Sequence, residues 1–333
     1  MKKKLILPPV IYGTSCLGNL YEALPYQIKL AIIKECVKNA PRDLVIFDSA
    51  GKYGAGLALE TLGTCLTELG VPIEKVVISN KLGWIRAPLV GGEPTFEKGV
   101  WKDLKNDAVQ KISYDGILEC YHQGNELLGD YAAQMVSVHD PDEFLAAATN
   151  EADKEKRYAH ILEAYKALNE LKKEGKVTSV GIGSKDWKII ERVSNDVDLD
   201  WAMIANSLTI HSHPKELFTF INSLHQKGID VINSAVFNGG FLIGSDYYNY
   251  KLVDKTTRHG KALYDWREDF FTICDKYDIK PAEACFNYGF KIPGVVAVAL
   301  NTTKPDKVKT NVEMATKQIP EEFWVAMKME GLI

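Results

Sequence analysis

The chain lacks any apolar run near the ~20 residues a helix needs to cross a bilayer. Runs such as VVAVAL at 295–300 are far shorter. Nor does it open like a secretory leader. MKKKLILPPVIYG has a basic head, but only three apolar residues precede Pro8 and Pro9, against the about 7–15 of a signal core. The expectation is a cytoplasmic protein with no membrane partner. Charge of one sign is not in excess: 40 Lys and Arg stand against 44 Asp and Glu, a net −4. That balance gives no electrostatic reason to expect nucleic acid as a partner. Cysteine is sparse, with six residues (Cys16, Cys36, Cys65, Cys120, Cys274 and Cys285) and no Cys-x-x-Cys. They read as reduced, buried thiols. No metal set is spelled out either. His211-x-His213 stops at Pro214 with no third ligand nearby and reads as a solvated loop. Nucleotide-binding fingerprints are missing too. GIGSKD (181–186) puts Asp186 where a third small residue belongs, GKYGAG has the wrong order, and no phosphate-binding Gly-x-x-x-x-Gly-Lys-Ser/Thr occurs.

What the chain does have is alternation. Hydrophobic residues make up 46% and charged residues 25%, an ordinary globular mix that excludes disorder. Short Val- and Ile-rich runs at 10–14, 44–48, 75–81, 134–139, 178–183, 201–206, 230–234 and 294–300 predict strands buried on both faces. Helical stretches fall between and after them, at 27–40, 57–70, 113–129, 158–174, 186–195, 214–227, 262–277 and 305–315. In the fourth, Ile161, Tyr165, Leu168 and Leu171 share a face and Gly175 stops the helix. Eight strand–helix units with no composition break predict one α/β domain over 1–333, a (β/α)8 TIM barrel. Two connections, 82–112 after the third strand and 235–261 after the seventh, are long enough to shape a binding site. The closing KMEGLI is expected to cap the barrel or wall the pocket. The charge runs KKK (2–4) and ADKEKR (152–157) read as solvated faces.

Reactive groups of such barrels gather where strands end. The second strand ends in Asp48, the third in Lys81 and the fourth in His139, and Tyr53 follows Asp48 in the turn GKYGAG. Each alone has a structural use, as a helix cap, a solvated cation, a hydrogen-bonded ring or a packed phenol. Together on one rim they make chemical sense. A free phenol ionises near pH 10. A neighbouring ammonium stabilises its phenolate and a carboxylate holds that ammonium. A neutral imidazole polarises a C–O bond. This set suits removal of a proton and a hydride from one carbinol.

In FDSAGKYGAGLALETLG (47–63), VVISNKLG (76–83), VSVHDPDE (136–143), KVTSVGIGS (176–184) and KPDKVKTNVE (304–313) the sequence resembles the aldo-keto reductases along essentially its whole length. The resemblance implies Asp48, Tyr53, Lys81 and His139 as catalytic residues. HDPDE and NSAVFNGGFL (233–242) resemble the aldose 1-dehydrogenase branch, which acts on L-fucose or D-threo-aldoses. It implies NAD(P)-dependent oxidation of an aldose at C1 to the lactone. The alternatives are reduction of an aldehyde or ketone, pyridoxal-like ones included, and a cofactor-bound regulatory subunit with slow turnover. The partner would be a small sugar or aldehyde, and the chain a monomer or weak homodimer.

The loops after the seventh and eighth strands, SAVFNGG (234–240) and NTTKPDK (301–307), are the phosphate-binding places of such a barrel. By resemblance Ser234, Val236, Asn238, Gly239, Asn301, Thr302, Thr303, Lys307 and Asn311 would hold the dinucleotide. Gly13 and Thr14 would border the nicotinamide, with Ser184 and Asn206 near it. The chain departs from the family at Gly183-Ser184, where Ser-Asn is common, and at Asn233, where a stacking aromatic is usual. NADP needs a fixed cation for its 2′-phosphate. Asn301 stands where NADP-preferring relatives carry Lys or Arg, so the expectation is dual use with a lean to NAD. Trp84 and Trp101, on the long third loop, are candidates to stack on a sugar face.

Overall fold

The computed structural model describes residues 5–333, so the KKK run lies outside the described residues. Eight parallel strands close into a barrel: β1 (Val10–Gly13), β2 (Val45–Ala50), β3 (Val76–Leu82), β4 (Met135–His139), β5 (Ser179–Ser184), β6 (Trp201–Ala205), β7 (Asp230–Ser234) and β8 (Val295–Leu300). Each pairs with its neighbours in chain order, and β8 returns to β1. All eight lie where the Val- and Ile-rich runs predict.

The helices α1 (Tyr26–Lys38), α2 (Leu57–Glu68), α3 (Tyr114–Leu128), α4 (Glu151–Lys173), α5 (Trp187–Asp196), α6 (Lys215–Gln226), α7 (Arg258–Lys276) and α8 (Pro305–Glu313) surround them. Local chemistry sets several starts. Ser113, Asn150, Asp186 and Thr257 each accept a backbone N–H of the first turn. Pro305 opens α8 at a position where its missing N–H costs nothing. α4 begins two turns earlier than the apolar spacing predicts. ADKEKR forms its first turns, supported by an Asp153–Arg157 pair one turn apart. Three short helices, Pro141–Ala146, Pro281–Tyr288 and Glu321–Met329, have no counterpart in the expected set. The last carries the tail. Phe323, Trp324, Met327 and Leu332 bury against Phe270 and Ile273 of α7, so the tail caps the helical layer.

Alternation along the strands sorts the side chains. Val45, Phe47, Val76 and Ile78 face the helices. Ile11, Ile46, Val77, Met135, Trp201, Met203, Ile232 and Ala297 meet inside the barrel. Trp201 takes the space that Gly181 leaves. A Cβ on Gly181 would lie 2.1 Å from the indole, so only glycine fits there.

The two long loops contain structure. Trp84–Pro88 and Asn106–Gln110 form an antiparallel hairpin after β3. Arg86 ties it down, donating to the Ala55 carbonyl at 2.8 Å and pairing with Glu60. After β7 come a 3-10 segment (Asn238–Ile243) and a small hairpin, Tyr247–Tyr248 with Lys251–Leu252. All six cysteines are free and buried. No helix among the described residues is long and apolar enough to cross a membrane.

Candidate active site

The same alternation that buries Ile46 and Val77 inside the barrel turns Asp48, Ser79, Lys81, Ser137 and His139 inward above them. A register shift of one residue would send this set into the helices. Asp48 pairs with the Lys81 ammonium through one oxygen and accepts the Ser79 hydroxyl at 3.2 Å through the other. Only 6% of each side chain in the pair is exposed.

Tyr53 reaches the same place from the turn after β2. That turn is pressed onto the 3-10 segment Ser15–Gly18. Gly54 has φ +60, and a Cβ there would lie 2.3 Å from the Gly18 carbonyl oxygen. A side chain at 54 would therefore lift Tyr53 off its bed. The Lys81 ammonium lies 4.8 Å from the Tyr53 ring centre. The His139 ring meets Tyr53 edge-on at 5.6 Å, and Trp101 covers it at 5.7 Å. The structure thus brings together all four residues expected at the strand ends.

Their protonation follows from burial and charge. Burial pulls the Lys81 ammonium down, but Asp48 and Tyr53 outweigh it and hold it charged. Burial, with Lys52 and Lys81 nearby, keeps the His139 imidazole well below its usual range and hence neutral. Tyr53 differs from the expectation of an eased phenol. Burial pushes it up to about 12, and Lys81 offsets only part of that rise.

The residues expected to hold a dinucleotide ring the same strand ends. Gly13 pairs with Asp48, and Thr14 donates through both its N–H and its hydroxyl to the Asp48 carbonyl. Ser184 is tied into the start of α5 through Asp186. Asn206 takes a left-handed conformation (φ +61), with its side-chain oxygen buried and unpartnered. Ser234 donates to the Ile204 carbonyl at 3.3 Å. Val236 and Asn238 are buried, and the Asn238 amide donates to Asn249 beside Gly239. Asn301 donates to Ser15, Thr302 accepts the Lys304 N–H, and Thr303 is half-buried between them. Lys307 is exposed on α8 and Asn311 half-buried there.

Two expectations need correction. Asn233 does not occupy a stacking position. It points out of the barrel, donates to the Leu208 carbonyl at 2.9 Å and sits under Gly289. His211 and His213 are not on a solvated loop. His211 bonds the Tyr248 hydroxyl and packs edge-on against Trp266, and His213 packs against Tyr288. Burial draws His211 down to about 4. No cluster of three possible metal ligands occurs among the described residues.

Trp84 starts the hairpin and packs near Phe96, with its indole N–H buried and unpartnered. Sequence reasoning missed Lys52, whose ammonium is buried beside Trp84 and surrounded by Glu97, Asp140 and Glu143. A lysine directly before Tyr53, with the acidic run HDPDE elsewhere in the chain, was the available signal.

Known proteins share this arrangement of elements. The chain is 26% identical over 341 residues to a pyridoxal 4-dehydrogenase of Microbacterium luteolum, covering 96% of this chain and 93% of the relative. It is 25% identical to a D-threo-aldose 1-dehydrogenase of a Pseudomonas species, covering 99% and 95%. Among solved structures, a glycerol dehydrogenase from Gluconobacter oxydans superposes with a TM-score of 0.70 at 15% identity, covering 96% of this chain and 90% of that one. A holo aldo-keto reductase from Bacillus halodurans gives 0.67 at 18%, covering 98% and 95%. The Aldo/keto reductase family profile matches residues 9–329, nearly the whole described chain. With the profile spanning barrel and rim alike, this protein belongs to the aldo/keto reductase family.

Proposed function

We propose that this oxidoreductase oxidises an aldose at C1 to the lactone with NAD or NADP, and that Tyr53 accepts the hydroxyl proton. One observation carries the reading: a phenol, a neutral imidazole and a buried ammonium–carboxylate pair converge on one rim. Oxidation of a carbinol removes a proton from oxygen and a hydride from carbon. The chain's residues account for the proton. Lys81, fixed by Asp48, stabilises the Tyr53 phenolate, and the neutral His139 ring can donate one N–H to the substrate oxygen. The unpartnered Trp84 N–H offers a further donor to a sugar hydroxyl.

The donor set fits a dinucleotide. The unpartnered Asn206 oxygen suits an amide N–H, Gly13 and Gly183 leave the inner wall without Cβ atoms, and α8 presents its N-terminal amides beyond Asn301. When bound, a nicotinamide dinucleotide supplies the hydride acceptor. Lys304 and Lys307 are exposed, and surface charges of that kind contribute about 0–1 kcal/mol. The reading is therefore dual cofactor use with a lean to NAD.

Reduction of an aldehyde is the second reading, and the phenol favours it: at about 12, Tyr53 is a proton donor at neutral pH. The relatives widen the choice of substrate, one being named for an aldose and one for pyridoxal, and as dehydrogenases both are named for the oxidative direction. The test is a panel of aldoses and aldehydes, pyridoxal included, with both cofactors, followed by nicotinamide absorbance. Dinucleotide binding without turnover on any of them would overturn both readings in favour of a regulatory subunit.

A further inference from the structure

A further charged side chain is buried at the rim, and neither the proton transfer nor the cofactor site uses it. Lys52 immediately precedes Tyr53, and only 4% of its side chain is exposed. Its ammonium lies 2.7 Å from Glu97, 3.0 Å from Glu143 and 3.4 Å from Asp140. These carboxylates come from two separate segments. Glu97 belongs to the loop within the hairpin after β3, while Asp140 and Glu143 follow the end of β4. Burial pulls the ammonium down, and the three carboxylates more than restore it.

The contacts lead back to the reacting phenol. The second oxygen of Glu97 accepts the Trp101 indole N–H at 2.6 Å. Trp101 in turn covers Tyr53 at 5.7 Å. Lys52, Glu97, Trp101 and Tyr53 thus form a closed circuit whose first and last members are adjacent in the chain. The same ammonium lies 5.3 Å from the centre of the Trp84 ring. Stability alone does not account for such a group. Taking an ammonium out of water costs several kcal/mol, and an apolar side chain of similar size commonly does as well or better. What an apolar residue would not supply is directional attachment of two loops to one point.

We propose that Lys52 is a positioning residue that latches the long loop after β3 to the end of β4 and so holds Trp101 against Tyr53 and Trp84 in the neighbouring wall. The kinetic part of the inference rests on the proton-transfer reading of Tyr53. The latch itself does not. Without the ammonium, Glu97 loses the cation that joins it to Asp140 and Glu143, which Lys185 still serves from its own side, and Trp101 loses an acceptor fixed in place.

The test uses Lys52→Met, Lys52→Arg and Glu97→Gln in the full chain. Lys98, Lys102 and Lys105 are exposed in the latched loop, so trypsin reads its opening directly. Cleavage at these lysines should quicken about tenfold or more in Lys52→Met, as expected when a loop loses its attachment, and return toward wild type in Lys52→Arg. For the best aldose of the panel, KM should rise about tenfold, the loss of one charge-assisted contact, with dinucleotide affinity unchanged. Glu97→Gln should reproduce the KM rise, and Lys52→Met/Glu97→Gln should add little to it. Unchanged cleavage in Lys52→Met, or full additivity in the double variant, overturns the latch. If Lys52→Met does not fold, Glu97→Gln carries the same two measurements. A wild-type protein that turns over no sugar or aldehyde removes the functional reading, and the trypsin measurement still decides the latch.

Discussion

Replacing Lys81 by Met separates what the buried ion pair does for stability from what it does for chemistry. The substitution leaves the Asp48 carboxylate in a site where 6% of its side chain reaches solvent, with the Ser79 hydroxyl as its remaining side-chain partner. Removing one partner of a buried pair costs about 3–5 kcal/mol, because the other charge stays behind uncompensated. At about 2 °C per kcal/mol for a large domain, Tm should fall by about 6–10 °C. Asp48→Asn/Lys81→Met removes both charges and should recover most of that loss, to within about 1–2 kcal/mol of wild type. Turnover should not recover. A phenol held near 12 has then lost the Lys81 cation close to its ring, and the rate should stay down by about 10²–10⁴. Thermal and denaturant unfolding followed by circular dichroism, beside steady-state rates, gives both readouts. A double variant less stable than Lys81→Met, or one that regains activity with stability, refutes the reasoning.

Tyr53→Phe should lose about 10²–10⁴ in kcat with dinucleotide affinity unchanged; fluorescence titration and initial rates check the two halves. With Tyr53 pushed up to about 12, the fraction able to accept a proton rises about tenfold per pH unit below that value. Oxidative kcat/KM should therefore climb steadily from pH 7 to 10 while the reductive rate does not, and a flat oxidative profile argues against Tyr53 as base. Gly54→Ala places a Cβ against the Gly18 carbonyl at positive φ and should cost about 1–3 kcal/mol with a marked loss of turnover, measured by unfolding and by rate. His211 is held neutral with its folded value near 4, so its contribution is complete above about 6.5 and is lost as pH falls toward 4. His211→Asn should narrow the gap between denaturant midpoints measured at pH 7 and pH 4.5.

The eight strands were legible because they are rich in Val and Ile along most of their length, and the four reactive residues because three lie at or near the ends of those strands and one in the turn after the second. The hairpin after β3 was not. Its arms WIRAP and NDAVQ are only partly buried and mix polar with apolar residues, so no period stands out. The first turns of α4 hid for the same reason, since a helix polar all round carries no stripe. Lys52 was passed over because its partners lie 45 to 91 residues away along the chain, and no local pattern joins them. The outward turn of Asn233 follows from strict alternation with the inward Ile232, and matching by resemblance alone overlooked it. The net rise at Tyr53 comes from burial, which residue types do not report.

The indole that fills the space above Gly181 has a consequence for proton traffic. Trp201, Met203, Ile232 and their neighbours make the lower barrel an apolar stopper. A proton collected by Tyr53 meets that apolar layer below it. It must leave upward, past His139 and the carboxylates that grip Lys52. Exchange with bulk solvent is then confined to the face by which substrate enters, so any substrate that fills the mouth also slows the return of the phenol to its starting state.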